Sequence, residues 1–245
     1  VIAEPATPLA GAKQSQTKQA ASAARVAQSL QKVRINVMRA MTARLDDYFG
    51  ALSERVVSRA KKSWNGRVRV AVGPNAPFIE TKVDAEDLLT AADEKELVGI
   101  VKKFQVGILE ASWDTWNLAL GTTLDFDLSD PTVVSLLRTA GTRVTDIQQT
   151  TLDEIRRVLQ HGAEQGWSID QIVRGDDTFP GLRNAVEETY RHRARAIART
   201  EVGEAQQKGS VLRYGDAGIK RVTVLDGGSD DSDEICNSLN GTTQT

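Results

Sequence analysis

Residues Arg191 to Ala205, near the C-terminal end of the chain, sort into distinct stripes only on a helix, and this stretch organises what the rest of the chain can fold into. Ala194, Ile197, Ala198, Val202 and Ala205 recur at helical spacing and are all small or branched, so a second helix can approach closely along that side. Arg191, Arg195 and Arg199 follow one another at i, i+4 and i+8. They form a cationic ridge whose members repel one another, so an anion or carboxylates of the body are expected across it. Glu201 lies on the apolar side with no Arg or Lys four residues before or after it. Buried there, it needs a partner from another element. Arg143, Arg156 and Arg157, on or beside a helix expected over 143–162, are the candidates.

A second periodic segment lies at the other end of the chain. Val26, Leu30, Val33, Val37, Met41, Leu45, Tyr48, Leu52, Val56 and Ala60 step by three and four without a proline. This predicts one amphipathic helix over 21–64, about 60 Å long at 1.5 Å per residue. Only Gly50 threatens its continuity, at roughly 1 kcal/mol relative to alanine; a hairpin broken there or at Asp46-Asp47 is the competing arrangement. Such a length exceeds that of an ordinary globular helix, so the stripe is expected to lie against copies of itself or a partner.

Charge separates this segment from the rest. Residues 1–70 hold thirteen Lys/Arg and four Asp/Glu, whereas the whole chain has 31 and 33 and a net charge of −2. The remainder is therefore acidic, and the basic segment reads as an arm for a polyanion or for an acidic surface, its own body or a neighbouring copy included. Lys and Arg neutralise phosphates without reading sequence. The expected contact set for a nucleic acid is Arg34, Arg39, Arg44, Arg55, Arg59, Lys61, Lys62, Arg67 and Arg69.

The expected organisation is mainly α, with a linker over 1–20, a basic helical arm over 21–65, a small β joint over 66–83, a compact helical body over 84–217, and a C-terminal strand with an acidic turn over 218–245. The joint rests on Arg67 to Val72, which alternates with period two before Gly73-Pro74 forces a turn. In the body, Asp84 can cap a helix from Ala85, Asp130-Pro131 starts a short helix that Gly141 can close, and Ser168 with Gln171 forms a capping box for another short helix ended by Gly175. The helix carrying the arginine ridge is expected from about Leu182 to Tyr214. Trp113 and Trp116, near an apolar helical face, read as packing residues.

Several chemistries lack the residues they need. A zinc site takes about four converging N or S ligands, and the chain has one Cys and two His. His161 and His192 read as ordinary helix histidines and Cys236 as a packing residue or an exposed thiol. The acidic run Asp226 to Glu234 lacks the calcium-loop spacing. There is no serine elbow, phosphate-cradling glycine loop, H-E-x-x-H or deaminase motif. The expectation is a non-enzymatic protein without cofactor or metal, and with no apolar run long enough to span a membrane.

The run Ile197-Ala-Arg-Thr-Glu-Val-Gly-Glu-Ala205, followed by a strand around Ile219 to Leu225 and then Cys236, resembles the Mu F-like head morphogenesis family of phage minor head proteins. Gly166-Trp167-Ser168 and Leu239-Asn-Gly241 add to the likeness, which covers about the last 160 residues; Asp233 stands where the family carries the first cysteine of a C-x-x-C. The resemblance implies that Arg195, Arg199, Thr200 and Glu201 form a structural motif. It also implies a virion component at the portal vertex, assembled in the host cytoplasm, that aids head morphogenesis and DNA packaging or ejection. Its partners would be the portal protein, packaged DNA and further copies in a ring, with no membrane in the assembled head. Since the chain begins at Val1, a C-terminal extension of a portal protein is the alternative, and a toxin or nucleic-acid-modifying enzyme a more distant one.

Overall fold

The computed structural model describes residues 10–64, 83–219, 222–223 and 243–244. It is mainly α, with helices α1 (Ala10–Ser63), α2 (Ala85–Leu88), α3 (Ala91–Leu120), α4 (Pro131–Glu164), α5 (Ile169–Arg174) and α6 (Leu182–Asp216). Two short strands, β1 (Val222–Thr223) and β2 (Thr243–Gln244), pair antiparallel. Residues 66–82 of the expected β joint, the acidic run 226–234, Arg67, Arg69 and Cys236 lie outside the described residues.

α6 lies at the centre, packed against α1, α3, α4 and α5. Its small-residue stripe is the reason: Ala194, Ala198, Val202 and Ala205 are fully buried and let neighbouring helices come close. α1 runs antiparallel to it. Gln206 Nε2 donates to Leu30 O at 2.8 Å, Arg34 lies over Gly203, and Ser53 Oγ donates to Arg183 O at 3.4 Å. α3 runs parallel to α6, since Gln105 meets Glu201, Trp116 meets Ser210 and Asn117 meets Arg213. α4 returns antiparallel, with Arg143 at Glu201 and with Val133 and Leu212 lining a common pocket.

α1 departs from expectation in length and, more importantly, in role. It starts at Ala10, within the stretch read as linker, because the residues after Pro8 are rich in Ala, Gln and Lys, which are strong helix formers. It passes through Gly50 without a break, which excludes the hairpin. From Met41 onward it is not an arm. Met41, Leu45, Tyr48, Leu52, Val56 and Ala60 are buried in one cluster with Leu97, Ile108, Ala198 and Val202. The apolar stripe thus finds its cover in α3 and α6 of the same chain, and its length reflects a helix that runs along the whole bundle.

Local signals set most of the helix ends. Asp130 accepts from Thr132 N at 2.7 Å and from Val133 N, with Pro131 in the first turn. Ser168 and Gln171 cap α5, which Gly175 ends with φ +76°. Asp84 precedes only the single turn of α2 and makes no side-chain cap; Thr90 and Asp93 form the box that opens the long helix α3. Gly141 does not close α4, which continues to Glu164. Leu136 and Val144 are buried on either side of it, and their packing outweighs the roughly 1 kcal/mol that a helical glycine costs.

Candidate functional site

The charged side chains divide into two sets, one locked inside the bundle and one left in solvent. The first inner cluster is centred on Glu201, 3% exposed on α6. Arg143 of α4 places Nε 2.7 Å from Oε1 and donates from Nη2 to Oε2 at 2.9 Å. Gln105 of α3 donates to the same Oε2 at 2.6 Å. Arg143 also donates to Glu204, whose other oxygen pairs with Lys208 at 2.7 Å. Burial raises the pKa of the Glu201 carboxyl, and the charge and hydrogen bonds of Arg143 oppose it without cancelling it. The two other candidate partners are engaged elsewhere: Arg156 with Glu86 and Asp153, Arg157 with Glu154.

The second cluster joins α1 to the start of α3 around Asp93, also 3% exposed. Arg59 Nη1 donates to it at 2.6 Å, Arg55 Nε lies 3.0 Å away, and Thr90 N and Oγ1 donate at 2.9 and 2.8 Å. Burial works against this carboxylate too, but the bonds from Arg59 and Thr90 outweigh it and hold its pKa below the usual range. Tyr48 Oη donates to Asp93 O at 2.7 Å, and burial pushes the phenol well above its ordinary value. Asp93 sits in the first turn of α3, where the helix dipole favours negative charge.

The residues of the expected nucleic-acid contact set are placed differently from one another. Arg55 and Arg59 flank the apolar stripe of α1, so the packing that buries Val56 and Ala60 carries both guanidinium groups to Asp93 and Glu96 rather than to solvent. Lys61 has an exposed pairing with Asp170 at 3.4 Å. Arg34 is half-buried against Gly203, leaving Arg39, Arg44 and Lys62 exposed and without an ion pair among the described residues.

The arginine ridge of α6 also differs from expectation. Arg195 and Arg199 are exposed, as is Thr200, and neither arginine has an ion pair among the described residues. Among the described residues no carboxylate pairs with them, although the same face carries Gly203, over which Arg34 of α1 lies. The side chains of Arg191 and His192 lie outside the described residues. His161 stacks on Phe179 with ring centroids 3.8 Å apart and meets Trp167 edge-on, so it is a packing residue.

Sequence reasoning missed Arg213, which is fully buried in the last turn of α6. It donates to Asn117 Oδ1 at 2.9 and 3.1 Å and to Thr122, and lies over the Trp113 ring. These bonds pin the end of α6 to the α3–α4 corner. Asp93 did carry a signal, the Thr90-x-x-Asp93 box; Arg213 reads in sequence as an ordinary basic residue at a helix end.

Both buried carboxylates are held by cations in place, so what the arrangement can do chemically is fix helices and leave selected arginines free. Among the described residues no group of three or more His, Cys, Asp or Glu could hold a metal ion, and no helix is long and apolar enough to cross a membrane. Compared with protein-family models, with curated proteins and with solved structures, the chain matches none.

Proposed function

We propose that this chain is a structural minor head protein of a tailed phage, which associates with the portal vertex, contacts packaged double-stranded DNA without reading its sequence, and assists head morphogenesis and DNA packaging or ejection. The observation that carries the structural, non-catalytic part of this reading is the state of Glu201. The glutamate of the Arg-Thr-Glu run is used to tie α6 to α3 and α4 through Gln105 and Arg143, so this carboxylate supports the bundle rather than standing as a free reactive group. The DNA part is supported by exposed cations without partners among the described residues, Arg39, Arg44 and Lys62, since a duplex carries about one negative charge per 1.7 Å of axis. The portal part rests on the resemblance of residues 197–205 to the Mu F-like family.

The test is to mix the purified chain with portal rings of the virus that encodes it and to weigh the complexes by native mass spectrometry. The expected result is a ring carrying a fixed number of copies. Rings that stay bare, together with heads that assemble and package normally without this chain, would overturn the reading.

A further inference from the structure

The ridge that the body leaves uncovered points to a binding role for the arginines of α6. We propose that Arg195 and Arg199, together with Arg39 of α1, form a phosphate-binding strip for the backbone of double-stranded DNA. This rests on the reading of DNA as a partner and assigns the contact to residues of the Arg-Thr-Glu helix, in place of the C-terminal part of α1.

The register of the helix pair sets the three arginines at one level along the bundle. Leu30 faces Gln206, Arg34 faces Gly203 and Ser53 faces Arg183. Continued along the antiparallel pair, this spacing sets Arg39 level with residues 197–198, between Arg195 and Arg199. All three arginines are exposed, and none has an ion pair among the described residues. By contrast Arg55, Arg59, Arg143, Arg156, Arg157 and Arg183 each sit on a carboxylate. Arg25, Arg44, Arg138 and Arg174 are exposed without an ion pair among the described residues as well, so what sets the strip apart is that Arg195, Arg199 and Arg39 stand at one level of the bundle.

Charge and shape both suit a polyanion. Arg195 and Arg199 lie one turn apart, about 6 Å along the helix at 1.5 Å per residue, and like charges at that spacing repel by a few tenths of a kcal/mol until an anion lies across them. Ala196 and Thr200, exposed beside them, are short and leave room for a rod-like ligand to come close. Toward the C-terminal part of α1 the strip is bounded by Asp46, Asp47 and Glu187, which line one groove and would repel phosphate. In the other direction it meets Arg34. A DNA backbone would accordingly run from Arg195 toward Arg34.

The experiment is fluorescence anisotropy of a labelled mixed-sequence duplex of about 20 base pairs, titrated with the full chain over a salt series. For duplex DNA the log-log salt slope is about −0.9 per phosphate neutralised. The double variant R195A/R199A should therefore lose about 1.8 from the magnitude of the slope, and R39A about 0.9. R195K/R199K should keep it, and so should R138A, which removes an exposed arginine of α4. Thermal melting should be unchanged throughout, since none of these side chains has an ion pair among the described residues; if the alanine pair does alter melting, the lysine pair against R195Q/R199Q decides. Wild-type binding with an undiminished slope in R195A/R199A would overturn this assignment and leave DNA as a partner. Absence of any duplex binding by the wild type at low salt would overturn the assignment and the DNA part of the proposed function together.

Discussion

Glu201 and Asp93 are equally buried yet balanced in opposite directions, which makes them separable by mutation and by pH. Removing one member of a buried pair typically costs about 3 to 5 kcal/mol. Arg143 keeps 30% of its side chain exposed and retains Glu204, so Glu201→Ala is expected near the low end, about 3 kcal/mol, read from urea unfolding. The pH dependences should have opposite signs. The folded pKa of Asp93 lies below its unfolded value of about 3.9. Its contribution is thus full above that value and is lost as pH falls through the folded pKa. The folded pKa of Glu201 is raised above the unfolded value of about 4.3. Its contribution is full below about pH 4.3 and is lost as pH rises through the folded pKa. Chemical denaturation across a pH series should find that Asp93→Asn flattens the acid limb below about pH 4, whereas Glu201→Gln flattens the window above it. The partner of Glu201 could be narrowed to three arginines in sequence but not chosen, since the choice depends on which face of α4 meets α6. Arg213 could not be singled out at all, because a basic residue in a last helical turn is already accounted for by the helix dipole.

At the scale of elements, what could be read from sequence follows from how local each cause is. The starts of α4 and α5 and the span of α6 were legible because caps, prolines and apolar periodicity act within a few residues. The continuity of α1 through Gly50 and of α4 through Gly141 was not, since burial by distant helices overrides the glycine penalty in both. The turn between α5 and α6 is a case where glycine is required. Gly175 has φ +76°, and a Cβ there would lie 2.3 Å from Gly181 N and 2.4 Å from Phe179 O, both backbone atoms that cannot swing aside. The left-handed backbone alone costs a non-glycine residue about 1 to 3 kcal/mol. Gly175→Ala should exceed that range in thermal or urea unfolding, whereas Gly50→Ala, with open space around its Cβ, should stabilise by up to about 1 kcal/mol.

For the whole molecule, the division into a basic arm and an acidic body describes the charge but not the fold. Met41, Leu45, Tyr48, Leu52 and Val56 are buried by α3 and α6. At about 1.5 to 3 kcal/mol for each large apolar side chain, their loss would remove as much as the whole 5 to 15 kcal/mol that keeps a typical domain folded. A chain lacking residues 1–64 is therefore expected to be unfolded by circular dichroism. A chain lacking residues 1–19 should stay folded, because the α1–α6 register carries residues 10–19 past the end of α6 at Asp216. The proposed DNA contact thus has to be tested by point variants rather than by removing α1.

The central claim, that α1 is an integral helix of the bundle and not a separable arm, is tested most directly by native-state amide hydrogen exchange. The account predicts that amides of residues 45–60 and 194–205 share one opening free energy, equal to that of global unfolding, while amides of residues 10–19 exchange far faster. Exchange of residues 45–60 at a distinctly lower free energy than residues 194–205 would contradict it.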